Sequence, residues 1–226
     1  DLSLDSLSDD FDAVFLSIGL GGVNALGVND DQALPAVDFI EDLRQSEDLT
    51  KLAVGRRVVV IGGGMTAIDV GTQARLLGAQ DVTIAYRRGR DNMNASSAEQ
   101  DQSSAKGVNI RHWMQPVEVT KSGSGSLNVK MEFTTLSEGK LTGTGKFETV
   151  EVDQLFTAIG QTLAAGEAIG SIAVEHGRIR VDETFRTSNP SVWAGGDCVA
   201  GGDDLTVTAV AQGRDAAEAI HAALVT

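Results

Sequence analysis

From residue 57 to residue 86 the spacing of apolar residues changes twice. Val58, Val59, Val60 and Ile61 form a continuous run of the kind that fills a strand buried on both faces. Gly62, Gly63 and Gly64 interrupt it. Ala67, Val70, Ala74 and Leu77 then recur at the three- and four-residue intervals of a helix, which Gly78 ends. Val82 to Tyr86 is predominantly apolar again, so the stretch predicts strand, tight turn, helix, strand.

Further elements are predicted on both sides. Residues 1–10 are acidic and serine-rich and lead directly into an apolar strand at 12–19. Gly21-Gly22-Val23-Asn24 follows as a loop, and Gly27-Val28-Asn29-Asp30-Asp31 comes too soon for a nucleotide-binding helix. A short helix is expected over 35–45, with proline in its first turn and Val37, Ile40 and Leu43 or Arg44 along one side. Ser96 and Glu99 form a capping box for a polar helix ending near Gly107, and 109–113 predicts another strand. From Pro116 onward, alternating segments are separated by 122–126 and 137–139. Val129, Met131 and Phe133 share a face, as in an antiparallel meander packed on one side.

Residues 153–160 repeat residues 12–19 in register: Asp12 and Asp153, Phe15 and Phe156, Ile18 and Ile159, Gly19 and Gly160. Two copies of one strand with a glycine exit suggest two related nucleotide-binding domains, one inserted in the other. The C-terminal third predicts a hairpin over 172–181 around His176-Gly177. A strand then runs into Gly195-Gly196-Asp197, and a helix over 206–221 turns Val207, Val210, Ala211 and Ala217 or Ile220 inward.

The chemistry centres on the first of these units. Gly62, Gly64 and Ala67 fill the spacing G-x-G-x-x-A, which permits a tight turn, backbone approach to a pyrophosphate and close helix packing. The helix N-terminus supplies free N–H groups and the positive end of its dipole. At the end of the second strand an acid selects the ribose diol of NAD, whereas arginines accept the 2′-phosphate of NADP. Arg87 and Arg88 stand there with Arg90 close by, and Asp91, the nearest acid, comes several residues late. NADP(H) is therefore expected first and NAD(H) second; without a ligand the same arginines would form a solvated loop. Asp197, beside glycines and before a helix, could hold a ribityl hydroxyl and a flavin carbonyl, or could be an ordinary turn.

Composition narrows the classes. The 226 residues are 42% hydrophobic, with 26 glycines against 3 prolines, as suits turn-rich α/β structure. A net charge of −14 opposes nonspecific binding to nucleic acid or anionic membranes. No apolar stretch approaches the roughly 20 residues of a membrane span, and a cytoplasmic protein is expected. Cys198 is the only cysteine, so no disulfide or redox pair forms within these residues, and His112, His176 and His221 have no metal-ligand spacing.

Four segments together resemble a known family. They are 60–69 (Val-Ile-Gly-Gly-Gly-Met-Thr-Ala-Ile-Asp), Tyr86-Arg87-Arg88 with Met93, Ala158-Ile159-Gly160-Gln161, and Ala194-Gly195-Gly196-Asp197. The family is that of the flavoprotein NAD(P)H-oxidising subunits shared by the glutamate synthase small subunit and bacterial dihydropyrimidine dehydrogenase. Residues 19–24 and 111–113 look closer to the latter branch.

The resemblance implies a two-dinucleotide-binding-domain α/β fold. A Rossmann-like NAD(P)H domain with its meander (51–162) is inserted in a partial FAD-binding domain (1–50 with the crossover, and 163–226). Hydride would pass from NAD(P)H to FAD, and electrons onward to iron–sulfur centres or a catalytic partner subunit. By the same resemblance Gly62, Gly64, Met65 and Thr66 face the pyrophosphate, Arg87 and Arg88 the 2′-phosphate, and Gly160 and Gln161 the nicotinamide. Gly196, Asp197, Thr206, Val207 and Thr208 would touch FAD. The cofactors carry the chemistry, so no catalytic acid, base or metal ligand is assigned.

Two departures stand out. Asn94 follows Met93 where the family commonly has proline. The family's FAD glycine fingerprint and iron–sulfur-associated region precede the position of Asp1, so a C-terminal piece with weak FAD retention is expected. Alternatives are a ferredoxin or quinone reductase and a non-catalytic NAD(P)-binding module. A disulfide reductase would need a cysteine pair that Cys198 alone does not supply.

Overall fold

The computed structural model describes residues 3–28, 32–123, 125–164 and 169–225. Asp1 and Leu2 of the acidic start, Asn29 to Asp31 of the expected loop and Ser124 of the serine-glycine break lie outside the described residues. In chain order the elements begin with α1 (Leu4–Asp10), β1 (Val14–Leu16), β2 (Gly22–Val23), β3 (Leu34–Pro35) and α2 (Ala36–Gln45). There follow β4 (Arg57–Gly62), α3 (Met65–Leu76), β5 (Asp81–Tyr86), α4 (Ser97–Ala105) and β6 (Asn109–His112). Next come β7 (Met114–Lys121), β8 (Leu127–Ser137), β9 (Lys140–Val152), β10 (Gln154–Ala158) and β11 (Gln161–Thr162). The last are β12 (Val174–Glu175), β13 (Arg178–Ile179), β14 (Val192–Ala194) and α5 (Thr206–Val225). They form two compact units, one spanning Val23–Gly160 and one made of Asp1–Gly22 with Gln161–Thr226.

The Val23–Gly160 unit is built in three layers. Its centre is a parallel sheet in the order β3-β10-β4-β5-β6. Strand β4 is buried on both faces, which is why its sequence is a continuous apolar run. On one face Val58, Val60, Val82, Ile84 and Phe156 pack against Phe39, Ile68, Val70 and Val108 in the helical layer. On the other, Val59, Ile61, Ala85 and Leu155 meet Val119, Leu127, Val129, Met131 and Val152 of the antiparallel β7-β8-β9 meander. Arg57 joins two of these layers by donating to Asp153 Oδ1 at 2.7 Å and pairing with Glu151 at 2.9 Å. Residues 23–50, grouped from sequence with the first piece and the crossover, belong to this unit. β3 pairs with β10, and the Phe39 ring of α2 lies 4.9 Å from that of Phe156.

In the other unit β1 and β14 pair in parallel, Phe15 opposite Trp193. Leu4, Leu16, Ile172, Ile179, Val192 and Cys198 fill its core. The repeated strand-and-glycine pattern is realised in both units, β1 leading to Gly19 (φ 58°) and β10 to Gly160 (φ 102°). The β12-β13 hairpin turns through His176 and Gly177, both at positive φ. Trp193 is 2% exposed, with the Arg186 guanidinium 4.6 Å over its ring.

Three local expectations are corrected. Residues 4–10, read only as an acidic approach to a strand, form α1 with Ser3 and Ser6 as its capping box and Leu4 buried. Gly22 and Val23, read as loop, form β2. Val207 and Val210 of α5 face outward, 73% and 69% exposed, and Ala217 is exposed too. The inward stripe runs instead through Ala209, Gln212 and Ala216, because the Gly195-Gly196 turn lies against the helix. A Cβ added to Gly195 would come within 3.4 Å of Gln212 Cβ, and one added to Gly196 within 3.6 Å of Ala209 Cβ.

Candidate functional site

The glycine turn between β4 and α3 is shaped by what surrounds it. A side chain on Gly62 would collide with the Ala158 carbonyl of β10, and one on Gly63 with the Tyr86 ring. Gly64 is different: it is the N-cap of α3, no side chain caps the helix, and a Cβ there would meet nothing within 4 Å. The Gly64 carbonyl accepts from Ala67 and Ile68 as the helix begins. The N–H groups of Gly64, Met65 and Thr66 make no hydrogen bond among the described residues, while that of Ala67 is taken by the Gly64 carbonyl, so the helix start keeps the donors that an anion site requires. Met65 is exposed, Thr66 is half-buried, and Ala67 is fully buried against the sheet.

The arginine segment lies at the end of the neighbouring strand β5. Arg87 and Arg88 are exposed, and their guanidinium groups make no hydrogen bond or ion pair among the described residues. Their backbones are held: the Arg87 carbonyl accepts from Thr134 Oγ1 at 2.8 Å, and the Arg88 carbonyl from the Trp113 N–H at 3.2 Å. Arg90 turns away to Asp101 and the Ser97 carbonyl on α4, so the cluster offers two free guanidinium groups, not three. Tyr86 Oη, at the end of β5, donates to the Asn92 carbonyl of the loop at 2.6 Å, and the loop returns to the glycine turn through the Ala95 N–H, which donates to the Gly63 carbonyl at 3.1 Å. Met93 is buried in the core and Asn94, at the position of the family's proline, is exposed. His112, opposite Tyr86 in the β5-β6 register, has its pKa lowered by burial and by the Arg90 charge.

Gly160 and Gln161 are both exposed, and they close one unit and open the other. The Gly160 carbonyl accepts from the Asn24 N–H at 3.2 Å, and Asn24 Nδ2 donates to the Ile159 carbonyl at 3.3 Å. Gln161 Nε2 donates to the Leu20 carbonyl at 3.3 Å. Sequence reasoning passed over Thr134, and it named Asn24 and Trp113 only within the segments 19–24 and 111–113, with no role for either residue. Only Trp113 carries a local mark, a positive φ of 60°, and that is visible only in the folded chain.

In the other unit a cleft of about 320 Å³ is lined by Phe15, Ser17, Gly19, Gly195, Gly196, Asp197, Asp204, Thr206 and Ala209. Gly196, Asp197 and Thr206 are therefore brought together. Val207 is exposed on the helix surface, and Thr208 faces Gly202, 3.6 Å from where its Cβ would be. Asp197 makes no hydrogen bond among the described residues, whereas Asp204 is held by both terminal nitrogens of Arg178, which keeps its carboxyl below the usual range. A free carboxylate, a glycine cradle beside Phe15 and the start of α5 suit a polyol chain and a flat polar ring edge. The volume is at the lower end for small-molecule sites and matches part of a dinucleotide. The features fit the flavin portion of FAD: Asp197 could accept from its hydroxyls and the α5 N-terminus could face its carbonyl.

Among the described residues no helix is long and apolar enough to cross a membrane, and no group of three or more His, Cys, Asp and Glu residues could hold a metal ion.

A model of the pyridine nucleotide-disulphide oxidoreductase family matches residues 4–213. Over 97% of its length the chain is 35% identical to the glutamate synthase [NADPH] small chain of Escherichia coli (strain K12), covering 52% of that protein. It is 34% identical to the NADP(+)-dependent formate dehydrogenase subunit beta of Moorella thermoacetica, covering 33% of it. Identity to the E. coli NAD-dependent dihydropyrimidine dehydrogenase subunit PreT is 31%, covering 49%. The leaning of residues 19–24 and 111–113 towards that branch thus does not extend to the whole chain, which is more like the glutamate synthase chain. The crystal structure of T. acidophilum thioredoxin reductase superposes with a TM-score of 0.75 at 22% identity, over 95% of this chain and 66% of that one, and shows the same fold. The chain spans a third to about half of these curated relatives. The match over residues 4–213 places the chain in the pyridine nucleotide-disulphide oxidoreductase family.

Proposed function

We propose that this chain is the pyridine-nucleotide-binding portion, with part of the flavin site, of a flavoprotein oxidoreductase that moves hydride from NAD(P)H to FAD. One observation carries the proposal: the open N-terminus of α3 and the two unpaired arginines are held together by the loop that runs from Tyr86 back to Gly63. The unit Val23–Gly160 would bind NAD(P)H, and the unit Asp1–Gly22 with Gln161–Thr226 would hold the flavin end of FAD.

Each group has a defined task. The first-turn N–H groups of Gly64, Met65 and Thr66 would receive the pyrophosphate, while Arg87 and Arg88 would grip the 2′-phosphate. Gly160 and Gln161 would border the nicotinamide. Gly196, Asp197 and Thr206, with the backbone at Val207 and Thr208, would orient the flavin. Bound FAD supplies the two-electron acceptor that converts hydride transfer into electron transfer. Names such as "small chain" and "subunit beta" belong to the relatives, and they support delivery of electrons to a partner subunit or iron–sulfur domain. With Cys198 as its single cysteine, buried and 3.2 Å from the Gly195 carbonyl, this chain contributes no dithiol of its own.

Relatives named for NADPH, NADP(+) and NAD occur side by side, so the names do not choose the nucleotide. The arginines favour NADPH. Calorimetric titration with NADPH and NADH in one buffer at matched salt tests this, with NADPH expected to bind more tightly. Tighter NADH binding would retain the fold and move the function to the NAD-linked relatives. Absence of binding by both would remove the nucleotide reading.

A further inference from the structure

We infer that Thr134, in the meander, is a positioning residue for selection between NADPH and NADH. The inference rests on the reading of Arg87 and Arg88 as the 2′-phosphate site. Thr134 is far from those residues in sequence and only 5% exposed, yet its hydroxyl donates to the Arg87 carbonyl at 2.8 Å. Its N–H donates to the Trp113 carbonyl at 2.9 Å, and the Trp113 N–H donates to the Arg88 carbonyl at 3.2 Å. Trp113 adopts a φ of 60° to make both bonds, and its ring edge lies 2.9 Å from where a Cβ on Gly89 would be. Successive carbonyls of the arginine pair are thus clamped from one side, while both guanidinium groups stay free.

The meander is shaped to deliver this hydroxyl. The β8-β9 register shifts between Glu132 and Thr134, and the irregularity is stapled by Thr144 Oγ1 to the Phe133 carbonyl at 2.8 Å and by the Gly145 N–H to Glu132 Oε1 at 3.1 Å. A bulge re-aims the side chain that follows it. Fixing the peptides at 87 and 88 before ligand arrives removes part of the ordering cost of gripping a phosphate. The glycine turn before α3 is bounded by Ala158 and Tyr86, not by Thr134 or Trp113.

The test is titration of the full chain with NADPH and NADH for wild type, T134V, T134S and R87A. T134V removes the hydroxyl and leaves the Arg87 carbonyl without its donor. It should weaken NADPH about tenfold and NADH by no more than about twofold, while T134S stays near wild type. G89A, which presses on the Trp113 ring without removing a hydrogen bond, supplies the same selective loss should T134V fold poorly. Selective NADPH loss in R87A with equal or no loss for both nucleotides in T134V and G89A overturns the inference. If R87A itself fails to separate the nucleotides, the 2′-phosphate reading falls and takes this inference with it.

Discussion

Gly63 has no room for a side chain because Tyr86 occupies the space above it, and Tyr86 in turn holds the Asn92 carbonyl at the far end of the arginine loop. The glycine therefore does more than permit a turn: it lets a strand-end ring tie the two halves of the candidate nucleotide site. Beside it, Arg87 and Arg88 are committed to nothing, in contrast to Arg90 with its partner Asp101. R87A or R88A should accordingly weaken NADPH by about 1.5–3 kcal/mol, the scale of a lost charged hydrogen bond, and change NADH little. Equal losses for both nucleotides, measured by titration at matched salt, would show that the arginines do not read the 2′-phosphate. R90A should behave differently, since its charge is spent on α4.

At the scale of elements, the ion pair at the base of β4 links the parallel sheet to the meander. Arg57 draws Asp153 below the ordinary carboxylate range, by side-chain hydrogen bonding first and then through its backbone N–H. A carboxylate depressed in the folded state contributes stability that is present above its unfolded pKa, about 4, and is lost as pH falls through the lower folded value. The urea midpoint of D153N should therefore lie below that of wild type at neutral pH, and the two should converge as pH drops below about 4. Parallel curves would show that Asp153 titrates no differently in the folded chain. Elements whose signal is local were legible in sequence: the apolar run of β4, the periodicity of α3, the Ser96-Glu99 cap and the alternation of β8. Others were not. α1 hides in acidic and serine-rich composition because only Leu4 is buried, and the face of α5 is not the one its valines mark because the glycine turn packs on Ala209 and on Gln212, which accepts from the Gly196 N–H. The Thr134 contact depends on a bulge and on a left-handed tryptophan, neither of which has a periodic signature.

For the whole molecule, the two compact units divide the candidate chemistry, with the glycine turn and arginines in Val23–Gly160 and the Asp197 cleft in the other. A ligand that binds only the folded form of one unit stabilises that unit by an amount that grows with the logarithm of one plus the ratio of free ligand to its Kd. Saturating NADPH should then raise amide hydrogen-exchange protection within 23–160, most at the start of α3 and along 86–95. Protection confined to 161–226 would place the nucleotide in the wrong unit. The division has an optical consequence as well. Each unit contains one of the chain's two tryptophans, half-buried Trp113 against the arginine loop and enclosed Trp193 beneath Arg186. The two rings differ in exposure, and Trp113 borders the arginine loop proposed to take the nucleotide, so its emission should report on binding there. The protein carries one intrinsic lamp per unit, so W113F and W193F each leave a single emitter with which to watch one half of the molecule without labels.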